Sequence, residues 1–162
     1  MGVEPIRPYL EPLRKSVTVP RTVEEAFEIF TARLGSWWPK ETHSISQART
    51  RDVVVEPKVG GALFEVRDDG KRCPWGKVLV WEPPHRFVWS WHPGREPETA
   101  QEVEVRFVDI GGTTRVELEH RNWAKLGESA AESRASYAGG WKSVFEERFV
   151  AACTGAAPGG KS

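Results

Sequence analysis

The sequence predicts an α+β fold in which a curved antiparallel sheet of seven strands wraps around a long C-terminal helix. Three observations predict it: strand-like stretches separated by turn residues fill the middle of the chain, an amphipathic helix follows the first strand, and an apolar helical stripe closes the chain. Consecutive strands joined by short turns pair antiparallel, and an amphipathic helix buries its stripe against one face of such a sheet.

The first strand and helix are marked by a change in hydrophobic period. Residues 15–19 alternate polar and apolar side chains and stop at Pro20, which predicts a short strand. Thr22 and Glu25 then have the spacing of a capping box, and apolar residues recur at helical spacing as far as Gly35. We therefore expect a strand followed directly by a helix.

Six further strand-like stretches follow, separated by glycine, proline and aspartate. They cover residues 52–56, 62–67, 76–82, 85–92, 102–109 and 113–121. The last two flank Gly111-Gly112, a dipeptide typical of tight hairpins. Together with the first strand they complete the sheet.

A long helix closes the predicted fold. Ser129 and Glu132 repeat the capping-box spacing, and an apolar stripe follows as far as Ala152. Gly139 and Gly140 lie inside this helix, where each glycine costs about 1 kcal/mol relative to alanine. Either they make room for bulky core side chains or they border a ligand space.

The 162 residues are predicted to form a single domain at residues 13–153. Residues 1–12 are expected to be a flexible proline-rich arm, and residues 154–162 a flexible tail. The first residues contain no apolar leader, and the two cysteines lack a Cys-x-x-Cys spacing, which is typical of reduced thiols. We therefore expect a cytoplasmic protein.

Charge and aromatic content restrict the class of partner. Basic and acidic residues both number 23 and form no long run of like charge, which predicts no nucleic-acid surface. No apolar run is long enough to span a membrane. Eight tryptophans in a neutral chain suit a small, apolar partner. An exposed edge strand could pair with a second chain, so a homodimer stays open.

Strand parity and helical spacing place many aromatic side chains on one inner face. Three come from one predicted strand and three from the last helix: Phe87, Trp89, Trp91, Tyr137, Trp141 and Phe145. These side chains either interdigitate as a filled core or enclose a cavity.

His120 is the best candidate for acid–base chemistry. It continues an apolar row to the end of its strand, so parity points it inward, and the histidine pKa lies near neutrality. The alternative is a histidine whose ring is hydrogen-bonded to a backbone group at the end of a strand. Parity places His92 toward solvent. Glu65 is also expected to face outward, because its neighbours Phe64 and Val66 form the more apolar pair.

The sequence predicts neither a metal nor a cofactor. The four histidines, at positions 43, 85, 92 and 120, are not spaced as paired zinc ligands. The glycine pairs Gly60-Gly61 and Gly111-Gly112 are expected to form turns, because neither connects a strand to a helix as a phosphate-binding loop would.

Several short motifs follow one another in a recognisable order. They are VPRTVEEAF at 19–27, WWP at 37–39, GGALFE at 60–65, GKV at 76–78, PPHRFVWSW at 83–91, EH at 119–120 and YAGGW at 137–141. Over about residues 17–152 this order resembles the START-like (SRPBCC) superfamily, in the branch related to the C-terminal domain of the Hsp90 ATPase activator. The resemblance implies a helix-grip fold that encloses an apolar cavity.

The resemblance leaves three functions open. The first is a small-molecule binding protein that holds an apolar or aromatic ligand between the sheet and the C-terminal helix. The second is a cyclase or aromatase acting on a polyketide, and the third is an interaction module with a chaperone partner of the Hsp90 type. The residues expected at the ligand site are Trp38, His43, Phe87, Trp89, Trp91, His120, Tyr137, Trp141 and Phe145.

Overall fold

The computed structural model describes residues 10–155 of the chain. Its strands are β1 (Leu13–Val19), β2 (Thr50–Val55), β3 (Ala62–Arg67), β4 (Arg72–Glu82), β5 (Arg86–Trp91), β6 (Gln101–Asp109) and β7 (Thr114–Arg121). Within the described part they form one antiparallel sheet in the order β1-β7-β6-β5-β4-β3-β2. The predicted α+β helix-grip fold is confirmed. Most of the predicted arm and tail, at 1–9 and 156–162, lies outside the described residues.

Two short helices follow β1. Helix α1 (Val23–Phe30) begins at the predicted capping box: Thr22 Oγ1 accepts a hydrogen bond from the Glu25 backbone N–H, and the Glu25 carboxylate accepts one from Thr22 N–H, both at 3.1 Å. Helix α2 (Leu34–Trp37) comes after an irregular turn. The pattern that suggested one helix up to Gly35 therefore covers two.

The C-terminal helix has three parts: α3 (Ala130–Trp141), a π-helical segment (Lys142–Phe149) and α4 (Val150–Thr154). The predicted capping box at its start is wrong. Ser129 has φ −86° and ψ 3° instead of the extended backbone of an N-cap, and its hydroxyl donates to the Leu126 carbonyl at 3.0 Å. A 3₁₀ turn leads into the helix and takes the place of a side-chain cap.

The inner face of the sheet and the C-terminal helix bury a continuous aromatic core. Phe87, Trp89 and Trp91 of β5 all belong to it, as strand parity predicts, and none is more than 4% exposed. Phe30 of α1 packs edge-on against Phe149 of the C-terminal helix, with ring centroids 5.1 Å apart. Helix α1 thus fills the space between sheet and helix at one end.

The two helical glycines have different surroundings. A Cβ atom built on Gly139 would meet no atom within 4 Å, so Gly139 does not make room for a core side chain. A Cβ atom on Gly140 would lie 3.8 Å from Cδ2 of His43. Gly140 therefore borders a space that His43 also borders, whereas Gly139 is exposed.

His92 is buried, so the prediction that it faces solvent is wrong. The alternation of β5 ends at Trp91, and parity no longer applies beyond it. The His92 backbone N–H donates to the Trp75 carbonyl at 2.6 Å, and its Nδ1 atom lies 3.2 Å from the Arg95 carbonyl oxygen.

The outer face of the sheet carries an ion-pair network around Glu104 of β6. The Glu104 side chain is 4% exposed and lies 2.6 Å from each of three guanidinium groups, those of Arg86, Arg106 and Arg121. Burial alone would raise the pKa of Glu104, but the three guanidinium groups outweigh it and lower the pKa to about 2. No helix within residues 10–155 is long and apolar enough to cross a membrane.

Candidate functional site: a tryptophan pocket beside the C-terminal helix

A pocket of about 270 Å³ lies between the C-terminal helix, the sheet and the loop that follows α2. We call it the tryptophan pocket. Its lining residues are Trp38, Thr42, His43, Ser44, Ile45, Trp75, Trp91, Pro93, Tyr137, Gly140, Trp141 and Val144. This lining contains no aspartate, glutamate, lysine or arginine. Its rim reaches solvent at Thr42 and Ile45, which are exposed.

Each indole of the pocket uses its N–H in a hydrogen bond within the protein. The pairs are Trp38 to the His43 carbonyl (2.8 Å), Trp75 to the Glu65 carboxylate (2.7 Å), Trp91 to the Tyr137 hydroxyl (2.9 Å) and Trp141 to Nδ1 of His120 (3.0 Å). Since these donors are already engaged, the walls present ring faces and edges to anything that enters the pocket.

Two polar side chains at the pocket keep hydrogen-bonding capacity. The Tyr137 hydroxyl accepts from Trp91, which leaves its own proton available to donate. Nδ1 of His43 lies 2.7 Å from the Thr42 hydroxyl, and its Nε2 atom has no partner among residues 10–155. The pocket therefore combines an apolar wall with a phenol and an imidazole.

The surroundings of His43 favour the neutral form of its imidazole. Partial burial lowers the pKa of His43 from its ordinary value, and the positive charge of Arg148 lowers it further. A neutral imidazole with a free ring nitrogen can accept or donate a proton, as general acid–base chemistry requires.

Glu65 of β3 is fully buried, so the prediction that it faces outward is wrong. Its Oε1 atom accepts from Ile45 N–H at 2.8 Å as well as from the Trp75 indole, and Oε2 accepts from Ser46 N–H at 2.7 Å. These donors replace water around the charge, which makes its burial tolerable. Phe64 lies on the opposite face, where the Arg72 guanidinium covers its ring at 4.6 Å.

The hydrogen bonds of Glu65 fix one wall of the pocket. Ile45 belongs to the loop that follows α2, and Trp75 belongs to β4 of the sheet. The Glu65 carboxylate therefore holds both the loop and the indole in place. This role of Glu65 was not predicted, although Glu65 shares strand parity with Leu63, which is also buried.

Trp75 was also not predicted at the site, because the strand predicted for this region began one residue later, at Gly76. In the register of β3 with β4, Leu63 pairs with Gly76 and Phe64 with Pro74, so Trp75 is the extra residue of a β-bulge. A Cβ atom on Gly76 would lie 1.6 Å from the Ser90 carbonyl oxygen, so only glycine permits this approach of β4 to β5. The sequence did contain a signal for this bulge, because Pro74 and Gly76 flank Trp75 and both residue types are typical of bulges inside strands.

His120 lies behind the pocket wall, not on it. It is fully buried, its Nε2 atom lies 2.8 Å from Oε1 of Gln101, and its Nδ1 atom accepts from the Trp141 indole. The Trp123 ring stacks on it with centroids 4.1 Å apart. Burial, with a smaller contribution from Arg95, lowers the pKa of His120 to about 3. Both ring nitrogens are occupied and the ring is neutral.

The nine residues expected at the site separate into two groups. Five of them line the pocket: Trp38, His43, Trp91, Tyr137 and Trp141. Phe87, Trp89 and Phe145 pack in the aromatic core, and His120 supports Trp141 from behind. Among residues 10–155 no cluster of three or more histidine, cysteine, aspartate or glutamate side chains could hold a metal ion.

Solved structures of known proteins share the fold of this chain. One of them, the anthrahydroquino-gamma-pyrone synthase Txn09 complexed with SUM, is 34% identical, with a TM-score of 0.60, and the match covers 88% of this chain and 96% of that one. The self-sacrificing resistance protein CalC from Micromonospora echinospora is 26% identical, with a TM-score of 0.57 and coverage of 78% and 82%.

An Aha1 dimer from Colwellia psychrerythraea has a TM-score of 0.64 at 18% identity and covers 92% of this chain and 100% of that one, which is a likeness of fold. No curated protein sequence matches the chain. The sequence model of one family matches residues 20–153, nearly the whole described region. The chain therefore belongs to the family of Activator of Hsp90 ATPase homolog 1-like proteins, within the START-like fold.

Proposed function

We propose that the protein binds a small, planar aromatic molecule of polyketide type in the tryptophan pocket. One observation carries this proposal: every indole of the pocket has its N–H bonded inside the protein, so the walls offer aromatic surface. Aromatic rings pack favourably edge-on or offset against such surfaces. The 34% identical relative is an anthrahydroquino-gamma-pyrone synthase, and the fused rings in that name support an aromatic ligand. The polyketide type is the one that the resemblance to the cyclases of the START-like superfamily implies.

The dimensions and polar groups of the pocket favour a compact ring system over a long acyl chain. Its volume of about 270 Å³ lies just below the range of roughly 300–1,000 Å³ that is common for ligand pockets. The Tyr137 hydroxyl can donate to a carbonyl or hydroxyl oxygen of the ligand, and His43 can orient a second polar group.

Binding is tested with 1,8-dihydroxyanthraquinone as an aromatic probe and hexadecanoate as an acyl-chain probe. We expect the anthraquinone to quench tryptophan fluorescence saturably and to raise the melting temperature, because a ligand that binds only the folded state stabilises it. Hexadecanoate should do neither at the same concentration. Equal responses to both probes, or none to either, would overturn the proposal.

The adjacent glycines provide matched variants. Gly140→Leu directs a side chain toward His43 and into the pocket, whereas Gly139→Leu adds the same side chain at an exposed position. We expect Gly140→Leu to weaken anthraquinone binding by at least tenfold and Gly139→Leu to leave it within twofold. If both variants bind like the parent protein, the ligand does not occupy the tryptophan pocket.

A second candidate function is catalysis of ring closure, which the neutral imidazole of His43 favours. In such a reaction Nε2 of His43 removes a proton from a carbon between two carbonyl groups of a poly-β-ketone. The enolate carbon attacks another carbonyl carbon of the same chain, and Tyr137 protonates the alkoxide that forms. The imidazolium then returns its proton to the phenolate through solvent, so the step needs no oxidant.

Catalysis is tested by turnover of a synthetic poly-β-ketone thioester. His43→Gln should lower the rate at least a hundredfold, since a general base contributes about 10²–10⁴ in rate, while anthraquinone affinity changes less than threefold. His120→Gln should mainly reduce stability, because both nitrogens of His120 are bonded within the protein. An unchanged rate in His43→Gln would remove the catalytic candidate and leave the binding function intact.

The chaperone partner, the homodimer and the cytoplasmic location remain predictions. Among residues 10–155 the large exposed apolar side chains are Ile45, Val59, Leu79 and Ile110, and Ile45 belongs to the pocket rim. A chaperone-regulating module should bind an Hsp90-type ATPase in solution, and a pull-down with purified components tests this third function.

A further inference from the structure

The pocket-facing stripe of the C-terminal helix continues to a cationic side chain. Tyr137, Gly140 and Val144 line the tryptophan pocket at steps of three and four residues, and Arg148 follows after another step of four. Side chains at these spacings lie on one face of a helix. Arg148 is therefore placed on the pocket side of the π-helical segment, one turn beyond the lining residues.

The guanidinium of Arg148 also lies within electrostatic reach of the pocket wall. Its positive charge acts on His43, whose pKa it lowers in addition to the effect of burial. His43 lines the pocket from the loop after α2, and Arg148 acts on it from the C-terminal helix, one step of four residues beyond the lining residue Val144.

Among the half-buried arginines of residues 10–155, Arg148 differs from the others in having no hydrogen-bond acceptor within that range. Within residues 10–155, the arginines of intermediate exposure that donate at least one hydrogen bond to an oxygen are Arg21, Arg67, Arg86, Arg95, Arg115, Arg121 and Arg134. Arg148 forms no hydrogen bond and no ion pair with any residue of that range. A guanidinium carries five N–H donors, and a half-buried one without an acceptor is suited to an incoming anion.

We propose that the aromatic ligand of the tryptophan pocket carries a carboxylate, and that Arg148 binds this carboxylate at the His43 end of the pocket. The planar guanidinium fork matches a carboxylate with two parallel hydrogen bonds, which an ammonium group does not reproduce. Since the lining residues supply no formal charge, Arg148 alone provides the selectivity for an anion. This inference rests on the proposed binding function and names the substrate class of the same pocket.

The experiment compares two probes that differ only in charge, anthraquinone-2-carboxylate and anthraquinone-2-carboxamide. The parent protein should bind the carboxylate about tenfold more tightly than the amide, and high salt should reduce the difference because the contact is partly exposed. Arg148→Gln should abolish the preference by weakening carboxylate binding, with amide binding unchanged. Lys142→Gln removes the same charge from an exposed position of the same segment and should preserve the preference.

The outcomes separate this inference from the proposed function. If the parent protein binds both probes equally, or if Arg148→Gln keeps the parent's preference, Arg148 does not recognise the ligand although the pocket binds aromatic molecules. If neither probe binds, the aromatic binding function itself fails. A circular dichroism spectrum and melting curve of Arg148→Gln verify that the variant is folded.

Discussion

The Trp75 indole donates a buried hydrogen bond of 2.7 Å to the Glu65 carboxylate, and this bond between β4 and β3 fixes the indole in the pocket wall. Replacing Glu65 by glutamine keeps the shape but puts an amide N–H₂ where the carboxylate accepts bonds from Trp75, Ile45 and Ser46. At least one buried donor then loses its acceptor, which costs about 1–3 kcal/mol. We expect Glu65→Gln to lower the free energy of unfolding in urea by about 2–3 kcal/mol.

Glu117→Gln is the control for this variant, because Glu117 also lies on a strand but is partly exposed and pairs with Arg115. Its effect should stay below about 0.5 kcal/mol. A Glu65→Gln protein as stable as the parent would mean that the loop around Ile45 is held by other contacts.

His120 makes the stability of the fold depend on pH. Its pKa is lowered to about 3 in the folded protein, while the unfolded chain titrates near the ordinary value of 6.5. Between these values the unfolded state binds a proton that the folded state does not, so the stabilisation is complete above about pH 6.5 and is lost as pH falls. Urea denaturation should show a loss from this group that approaches about 1.4 kcal/mol per pH unit between pH 5.5 and 4.5.

His120→Gln should be less stable than the parent near neutrality and should have a shallower pH dependence in the same window. His85→Gln changes an exposed histidine and should retain the slope of the parent protein. If the parent and His120→Gln lose stability in parallel, His120 is not the group responsible.

Gly139→Ala should stabilise the protein. The new methyl group meets no atom within 4 Å, and alanine is preferred to glycine in a helix by about 0.8–1 kcal/mol. We expect a higher urea midpoint with an unchanged m-value. Gly76→Ala is the opposite case, because its Cβ atom would collide with the Ser90 carbonyl, and we expect severe destabilisation. A loss of stability in Gly139→Ala would show that this helical position is packed in solution.

Glu104→Gln should weaken the outer face of the sheet. The variant removes the charge that three guanidinium groups share, but these groups are partly exposed, so we expect a loss of about 1–2 kcal/mol in unfolding free energy. The stabilisation by Glu104 is present above the pKa that this residue has in the unfolded chain, and it disappears as pH falls toward 2. The free energy of unfolding of the variant should therefore fall less over this pH range than that of the parent protein. Glu82→Gln removes a 60% exposed partner of Arg86 and should have little effect. Equal losses in the two variants would contradict the role of burial.

The fold could be predicted from the sequence because its signals are local and repeated. Turn residues separate the strands, and alternation along β5 places Phe87, Trp89 and Trp91 inward as observed. The capping box predicted at Thr22 is confirmed, and it was predictable because its two hydrogen bonds involve only neighbours in sequence. The same pattern failed at Ser129, where a preceding 3₁₀ turn already supplies the helical backbone.

The site could be predicted only in part because it depends on contacts between distant segments. Hydrophobicity alone placed Glu65 outside, whereas its burial depends on donors twenty residues away in the loop at Ile45 and on the bulge at Trp75. Parity correctly pointed His120 inward but could not distinguish a pocket group from one that supports the wall from behind. No pattern in the sequence marks Arg148, because the lack of a hydrogen-bond acceptor for its guanidinium within residues 10–155 is visible only in the folded structure.

The π-helical segment Lys142–Phe149 also determines how the chain would respond to a change in length. A helix that holds i to i+5 hydrogen bonds contains more residues than an α-helix of the same height, so it can lose one and still span the same distance. Such a deletion between Val144 and Arg148 would rotate Arg148 around the helix axis relative to Tyr137 and Trp141. Deleting one residue here would thus move the positive charge of Arg148 relative to the tryptophan pocket without changing Arg148 or the lining residues.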